Sequence, residues 1–557
     1  MNRASKPLLE IVVFAALIAL AGCALAQQPQ PYWVVEDTNS EIGTPWHSVY
    51  EVSYITQFQG TLSSVRLNTF DGRAINLLSE STTLARLDLS AETVAHVISD
   101  EEIKQLCKCQ TIEWLDISNA QKLTDDALAA IAGLPRLSTL IARYVGDREG
   151  GRKFSLKGVE LLAACRSLKV LALGLADTIG ANPYSRYAVL SKLKSLRELG
   201  DGLGAAAAAA MCDIPAFASC SAISDEAVEV IVNRSRVESL RLVGRDISKR
   251  TFWALEHSAS LREVVLEGET GGWDRSRSDL FDVAASLRRC SRLESLTLSE
   301  VHTINYKVER APGEEKIRWW LDDSALLRLL LLPVPKAVPG CEKLLHLNLD
   351  RNPNITSEGL ASICEAYPQL VSLSVQGCSG LDGRALDAIA TLKNLKHLRI
   401  GYAFVIDKYS KPSFTAADAF KLAKLTNLKS LDVSGTDPAF AKEALAVALG
   451  LKTLESLRAT YCGLTDESVK PAPAASLIRM DLSSNSIGNA GIREISKSLP
   501  KLTALALDNC SNINDDELGS DLAECANLVA LRLKSNGLDL AKLKQIKAKL
   551  PKCAVEY

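Results

Sequence analysis

Hydrophobic positions recur along most of this chain in one spacing: an apolar residue, two variable residues, a second apolar residue, one variable residue and a third apolar residue. The clearest examples begin at positions 344, 370, 395, 428, 454, 477, 502 and 528. Their period is about 26 residues, which is typical of a solenoid of stacked units rather than of one globular core. The alternation at the end of each phrase predicts a short strand with one buried face.

A second pattern follows many of these phrases and predicts a helix. Residues 123–128 read Leu-Thr-Asp-Asp-Ala-Leu, and similar stretches follow at 223–228, 355–360, 464–469 and 513–518. Thr, Ser or Asn caps a helix N-terminus, and acidic residues in the first turn complement the helix dipole. Apolar residues then recur at helical spacing. Each unit is therefore predicted to be a strand plus a helix.

The strand phrase L-x-x-L-x-L, with a helix behind it, resembles the leucine-rich repeats of the ribonuclease-inhibitor-like and cysteine-containing classes. The resemblance covers roughly residues 62–550. It implies an α/β leucine-rich-repeat solenoid, a horseshoe or arc with a parallel sheet on the concave face and helices on the convex face. We expect a right-handed solenoid of about 16 repeats. The family binds many kinds of partner, so the resemblance does not identify a ligand.

Several segments interrupt or flank the repeats. The predicted organisation is a signal peptide at 1–26, a linker and N-terminal cap at 27–60, repeats at 61–550 and a C-terminal closing strand at 551–557. Long intervals between phrases predict insertions near 200–222 and 300–322. Insertions in a solenoid often shape a binding site.

The first residues are typical of an export signal. A short basic start precedes an apolar stretch at 11–21, which is too short to span a bilayer comfortably. Two processing routes remain open. The stretch Leu-Ala-Gly-Cys ending at Cys23 resembles the lipobox of bacterial lipoproteins, in which the cysteine is acylated, whereas Ala-Leu-Ala offers cleavage before Gln27. The first route predicts a cell-envelope lipoprotein whose only membrane contact is its lipid anchor, and the second predicts a secreted or periplasmic protein.

Fourteen cysteines could form disulfides in an exported protein, but their placement favours structural thiols. Eight of them lie three residues before or after a strand phrase, at positions 109, 165, 290, 341 and 525 before it and 378, 462 and 510 after it. Asn352, Asn485 and Asn536 occupy the second of these slots in other repeats. The exchange of Cys and Asn predicts a buried turn position that meets backbone amides.

Charge and motifs argue against several functions. The chain has 64 basic and 66 acidic residues, which gives no electrostatic case for nucleic-acid binding. It contains no H-E-x-x-H, G-x-S-x-G or P-loop motif. Residues 200–205 resemble a dinucleotide-binding turn but are interpreted as a glycine-rich loop, since the surrounding α/β unit is missing. We therefore predict a protein that is not an enzyme, with no catalytic residues, cofactor or metal site.

Candidate metal ligands are also weak. His346 and His397 share the same outward strand position two repeats apart, which separates their backbones by roughly 10 Å. That distance is too long for a well-formed shared metal site. Cys107 and Cys109 could chelate a metal, but no further ligands lie near them in the sequence.

The residues between the leucines of each phrase face away from the core, because side chains alternate along a strand. We predict that they form the binding surface, and the candidates are Trp114, Asp116, Arg241, Asn348, Arg399, Asp432, Arg458, Asp481 and Arg532. Trp319 and Trp320 in the second insertion are stronger candidates for binding residues, since tryptophan is enriched in interface hot spots. A solvated face without a partner, and tryptophans that only pack on the solenoid, remain open alternatives.

These observations predict a cell-envelope scaffold that recognises a protein or glycan ligand through its repeat surface. The alternative is a secreted, effector-like repeat protein that recruits host or ubiquitin-ligase-type partners. We find no F-box-like helical pattern before the repeats, which favours the first interpretation.

Overall fold

A computed structural model describes most of the repeat region. The described residues are 47–49, 62–143, 145, 154–173, 190–203, 205–234, 236–246, 249–255, 257–269, 290, 292–304, 318–320, 341–401, 412–470, 476–510, 512–513, 518–522, 524–538 and 540–556. The predicted signal peptide, with Cys23, and most of the predicted cap lie outside them.

Twenty-one strands of the described residues form one sheet. They are β1 (His47–Val49), β2 (Ser64–Leu67), β3 (Arg86–Asp88), β4 (Trp114–Asp116), β5 (Thr139–Ile141), β6 (Val170–Ala172), β7 (Glu198–Leu203), β8 (Ser219–Ser224), β9 (Ser239–Asp246), β10 (Glu263–Glu269), β11 (Ser295–Ile304), β12 (Arg318–Trp320), β13 (His346–Asn348), β14 (Ser372–Ser374), β15 (His397–Arg399), β16 (Ser430–Asp432), β17 (Ser456–Arg458), β18 (Arg479–Asp481), β19 (Ala504–Ala506), β20 (Ala530–Arg532) and β21 (Ala554–Glu556). Except for β12, each strand pairs in parallel with the next in chain order, and β11 pairs directly with β13.

Helices connect many of the strands, and successive helices pack against one another. They are α1 (Gly72–Ser79), α2 (Glu92–Ala95), α3 (Asp100–Leu106), α4 (Asp125–Ile131), α5 (Leu156–Leu161), α6 (Ala205–Met211), α7 (Asp225–Arg234), α8 (Lys249–Leu255), α9 (Ser357–Ala366), α10 (Gly383–Ile389), α11 (Pro438–Gly450), α12 (Asn489–Ser498), α13 (Leu518–Leu522) and α14 (Leu540–Lys549), with 3₁₀ turns at Leu162–Ala164, Ala416–Lys424 and Asp466–Ser468. A parallel sheet with helical connections confirms the predicted α/β solenoid.

The core is a ladder of apolar side chains at the same strand position. Leu347, Leu373 and Leu398 are register partners on three successive strands, and each has no exposed surface. The ladder extends along the sheet from β2 because successive parallel strands place their middle apolar residue, leucine in most of them, opposite the next one. Each unit therefore buries its apolar face only against its neighbours.

Hydrogen bonds join the N-terminus of one helix to the N-terminus of the helix in the next repeat. The carboxylate of Asp100 accepts hydrogen bonds from the backbone N–H and the hydroxyl of Thr124, at 2.8 and 2.6 Å. In the same way, Asp125 accepts from the backbone N–H of Ser155 at 2.8 Å and from its hydroxyl. A Cβ at Gly158 would lie 2.0 Å from Asp125 Oδ1, so only glycine fits this close approach. The first-turn acids thus satisfy the next helix cap as well as complementing their own helix dipole.

The Cys and Asn slot after each strand is a buried turn position, as predicted. The Asn485 side-chain amide donates to the Ala459 carbonyl at 2.7 Å, and its oxygen accepts from the backbone N–H groups of Cys462 and Leu464 at 3.0 Å. The Cys462 thiol donates to the Val433 carbonyl at 3.4 Å. Both residue types therefore satisfy backbone groups of the neighbouring repeat. The thirteen described cysteines are free thiols.

The predicted insertion near 200–222 is wrong. The described residues of 198–224 include β7, α6 and β8, which continue the parallel ladder with register shifts after Leu199 and after Ala222. Phe217 before β8, and Cys220 and Ala222 within it, occupy the three core positions of this repeat and are at most 4% exposed. The segment is a repeat whose leucines are replaced, and the predicted glycine-rich loop at 200–205 begins inside β7.

The estimate of about 16 repeats was also too low. Residues 137–142 supply the unrecognised strand β5, in which Ala142 takes the third core position with no exposed surface. Twenty strands of the described chain, β1 to β11 and β13 to β21, are joined by parallel pairing.

The second predicted insertion departs from the ladder. The far end of β11 pairs antiparallel with β12, which contains Trp319 and Trp320, while the near end of β11 pairs with β13. The chain between β11 and β13 therefore leaves the parallel sheet and returns to it. Within the described residues, no helix combines the length and the apolar character that crossing a bilayer requires.

The leucine ladder yields a stability prediction. Replacing Leu373 with Asp should lower the free energy of unfolding by about 3–5 kcal/mol, because the side chain has no exposed surface and its charge would be buried without a partner. Urea unfolding followed by circular dichroism measures the change. The control is Val529→Asp, which introduces the same charge at a residue that is 44% exposed. Equal effects of the two substitutions would contradict the ladder.

Candidate functional site

The outward residues of the strands fall into two regions. In one region charged side chains pair with each other, and in the other the side chains are mostly apolar. From β13 to β20 the predicted candidates Asn348, Arg399, Asp432, Arg458, Asp481 and Arg532 lie at the same position of their strands. Neighbouring parallel strands are about 4.8 Å apart, so residues at this position on adjacent strands contact one another.

Arginine and aspartate alternate on four successive strands of this region. Arg399 Nε lies 3.9 Å from Asp432 Oδ2, and Arg458 Nε lies 3.5 Å from Asp481 Oδ2. The two aspartates are only 3% and 4% exposed. Asp432 also accepts hydrogen bonds from the backbone N–H of Ser434 at 2.9 Å and from the Gln376 amide. These charges are neutralised within the sheet and support its register.

The polar network continues to Asn348. Its side-chain oxygen accepts from the backbone N–H of Asp350 at 2.9 Å, and Asp350 accepts from the Ser374 hydroxyl at 2.5 Å and from the backbone N–H of Gln376 at 2.8 Å. Burial raises the pKa of Asp350, although the nearby Arg399 charge opposes this. These side chains have internal partners and leave few groups for a ligand. At β20, Arg532 Nε similarly donates to Asp508 at 2.9 Å.

Two histidines flank a buried serine on this face. His346 Nδ1 lies 2.9 Å from the Ser372 hydroxyl, and Ser372 is the register neighbour of both His346 and His397. Burial lowers the pKa of both imidazoles to about 4, helped by the positive charge of Lys396. Both rings are therefore neutral at pH 7. Among the described residues, no group of three His, Cys, Asp or Glu side chains could hold a metal ion.

The outward face of β4 to β6 has a different character. Trp114, Ile141 and Val170 are half-buried on successive strands, and Ala172 is buried beside them. Trp114 and Val170 both pair in register with Thr139, and Ile141 pairs with Ala172. We call Trp114, Ile141, Val170 and Ala172 the apolar patch. It is an aliphatic and aromatic surface with water-accessible area.

Charged side chains border the apolar patch. The Arg86 guanidinium carbon lies 5.7 Å from the centre of the Trp114 ring, within cation–π range. Asp116 and Glu198 occupy outward positions of β4 and β7. An apolar centre with a polar rim is the usual composition of a protein–protein interface.

The other predicted candidates are placed differently. Arg241 lies on β9, in register with Ser221 and Val265 and away from the apolar patch. For Trp319 and Trp320 the structure describes only the backbone of β12, so their binding role stays a prediction. Burial and the nearby Cys109 raise the pKa of the Cys107 thiol to about 12, which fits a protonated, structural cysteine.

Sequence reasoning selected Trp114 and Asp116 but missed Ile141 and Val170. The signal was present: both residues stand between the core positions of their strand phrases. Residues 137–142 were not recognised as a strand phrase because alanine replaces its last leucine. Without β5, the outward apolar residues of three consecutive strands could not be seen as neighbours.

A family model described as Leucine Rich repeat matches residues 340–364, which span β13 and most of α9. The spacing of apolar residues in that segment is the same as the spacing that recurs at the other strands. The fold is that of a leucine-rich-repeat solenoid. Domains of this kind typically act as binding scaffolds without enzymatic activity, commonly for protein–protein interaction. No curated protein matches this chain.

Two solved structures are similar to this chain. A chain in the crystal structure of the yeast Rad7 and Elc1 complex is 14% identical, with coverage of 96% of this chain and 94% of that chain and a TM-score of 0.34. A leucine-rich-repeat protein of Leptospira interrogans is 15% identical, with coverage of 88% and 99% and a TM-score of 0.29.

The neutral histidines yield a pH prediction. In the unfolded chain their pKa is 6.5 and in the fold about 4, so the unfolded state binds more protons between these values. The free energy of unfolding should therefore fall as pH decreases from 6.5 to 4, by up to about 3 kcal/mol for each histidine. Urea unfolding at pH 7 and pH 4.5 measures the loss.

The variant His346→Gln, His397→Gln should lose less stability over the same interval than the unmodified chain. His257→Gln, at an exposed histidine, is the control and should leave the loss unchanged. An identical acid loss in the double variant and the control would show that these imidazoles are not kept neutral by burial.

Proposed function

We propose that this protein is a non-enzymatic scaffold of the cell envelope that binds a protein partner through the apolar patch. One observation carries the proposal: Trp114, Ile141 and Val170 keep accessible area on three adjacent strands, whereas the outward charges of β15 to β18 are paired within the sheet. Partially exposed aromatic and aliphatic side chains gain most from being covered.

A protein partner suits this patch better than a glycan. Sugar rings stack on aromatic faces but need hydrogen bonds for their hydroxyl groups, and Ile141 and Val170 offer none. The hairpin formed by β11 and β12, with Trp319 and Trp320, is the place where we would expect a glycan to bind. No observation on the described residues favours the alternative of a secreted effector with ubiquitin-ligase-type partners.

We further propose that the repeats belong to the ribonuclease-inhibitor-like and cysteine-containing classes. The helices that follow many strands support the first, and the buried Cys and Asn slot supports the second. For localisation, the lipobox-like stretch ending at Cys23 supports a lipid-anchored envelope protein. Cleavage before Gln27 would instead give a secreted or periplasmic protein.

The binding proposal predicts the effect of one substitution. Trp114→Ala should weaken the affinity for the partner captured from envelope extract at least tenfold, because truncation of a hot-spot aromatic costs about 2 kcal/mol or more. The dissociation constant of the captured partner is measured by surface plasmon resonance. Trp253→Ala is the control, since this tryptophan is 49% exposed on α8.

A third variant, Trp319→Ala with Trp320→Ala, separates the hairpin from the apolar patch. If this variant loses the partner while Trp114→Ala retains it, the proposed site is wrong and the hairpin is the binding surface.

The anchoring proposal has its own test. Cys23→Ser should move the protein from the detergent phase to the aqueous phase of a Triton X-114 partition, since acylation of the thiol would be lost. Mass spectrometry of the mature N-terminus of the unmodified chain should show an acylated Cys23. An N-terminus at Gln27 would instead establish simple cleavage.

A further inference from the structure

Two acids at the border of the apolar patch form no ion pair within 4 Å with another described residue. Asp116 accepts a hydrogen bond from the backbone N–H of Ser118 at 2.8 Å. Burial raises its pKa, and the charge of Asp88 adds to this effect. The hydrogen bonds from Ser118 and the positive charge of Arg143 oppose the shift.

Glu198 is similar. Over the described part of the chain its carboxylate has neither a hydrogen bond nor an ion pair, and partial burial together with the Glu263 charge raises its pKa. Other outward acids are satisfied: Asp88 pairs with Arg66 at 2.7 Å, and Glu263 accepts hydrogen bonds from Ser239 and Ser295. The two acids beside the patch therefore have no ion-pair partner within 4 Å among the described residues, and an added cation could pair with either.

We propose that the partner segment on the apolar patch carries an apolar anchor flanked by two basic side chains. The inference rests on the proposed function, because it names the chemistry of the partner at that same surface. The anchor would cover Trp114, Ile141 and Val170, and the cations would pair with Asp116 and Glu198. Partly desolvated carboxylates gain more from an added cation than fully hydrated ones do.

Strand spacing sets the distance between the two cations. Asp116 is on β4 and Glu198 on β7, three strands further along the sheet. The two acids are also two residues apart along the strand direction, because Asp116 is in register with Ile141 and Glu198 with Val170. At about 4.8 Å per strand and about 3.3 Å per residue the two positions are roughly 16 Å apart. A helix covers that distance in about eleven residues and an extended segment in about five. The apolar patch lies between them, so the anchor belongs near the middle of the segment.

The experiment uses the full chain and three labelled synthetic peptides with the same leucine anchor. Their flanking residues, about eleven positions apart and therefore on the same face of a helix, are lysine, glutamine or glutamate. Fluorescence anisotropy measures each dissociation constant. We expect the lysine peptide to bind at least tenfold more tightly than the glutamine peptide, and the glutamate peptide to bind least. Failure of all three peptides to bind would overturn the inference.

Neutralising both acids should abolish the preference. In the Asp116→Asn, Glu198→Gln variant, the affinity for the lysine peptide should fall to that for the glutamine peptide, while the latter stays unchanged. The control, Asp213→Asn with Glu524→Gln, removes two exposed acids elsewhere and should keep the preference. A preference that persists in the first variant would overturn the basic-partner inference.

The two proposals fail in different ways. If the unmodified chain binds the glutamine peptide but does not prefer the lysine peptide, only the inference about the flanking cations is wrong. If Trp114→Ala binds all three peptides and the envelope partner as tightly as the unmodified chain does, the apolar patch is not the docking surface and both proposals are wrong.

Discussion

The in-register pairing of neighbouring parallel strands is the constraint on which this structure depends. It aligns Leu347 with Leu373 and Leu398 in the core, and it equally aligns every residue on the opposite face of the same strands. A residue on the outward face therefore cannot be chosen independently of the adjacent repeats. Like charges at one position on adjacent strands would repel at about 4.8 Å. The alternation of Arg399, Asp432, Arg458 and Asp481 resolves this conflict.

The same constraint also places outward apolar residues of adjacent strands side by side. Where arginine and aspartate alternate, the aspartates are almost fully buried and hydrogen-bonded. Where outward residues are aliphatic, as at Ile141 and Val170, their side chains cannot form ion pairs or hydrogen bonds with their neighbours, and accessible area remains. One repeat architecture thus yields a region that stabilises the sheet and a region suited to a partner.

Much of the fold could be predicted from the sequence because the leucine phrase is a local signal that needs no knowledge of the rest of the chain. Strands were not recognised from the sequence where small or aromatic residues replace leucine, as Phe217, Cys220 and Ala222 do in the repeat that contains β8. These residues keep the apolar spacing of the phrase. Because cysteine and alanine also occur at many other positions of the chain, the pattern can no longer be recognised as a strand phrase. The long interval between the phrases that begin at Leu196 and Val237, which fits two short repeats, was the remaining indication.

The site was harder to predict because it depends on pairs of repeats. Asp432 and Arg399 were both selected as outward residues, yet their ion pair makes them structural rather than available to a ligand. Recognising the apolar patch required β5 to be identified first. The capping of Ser155 by Asp125 has a separate consequence: each unit supplies an acceptor to the following unit and a donor to the preceding one. Duplication of a whole unit would preserve this complementarity, so such an array could change length by complete units but not by fractions of one.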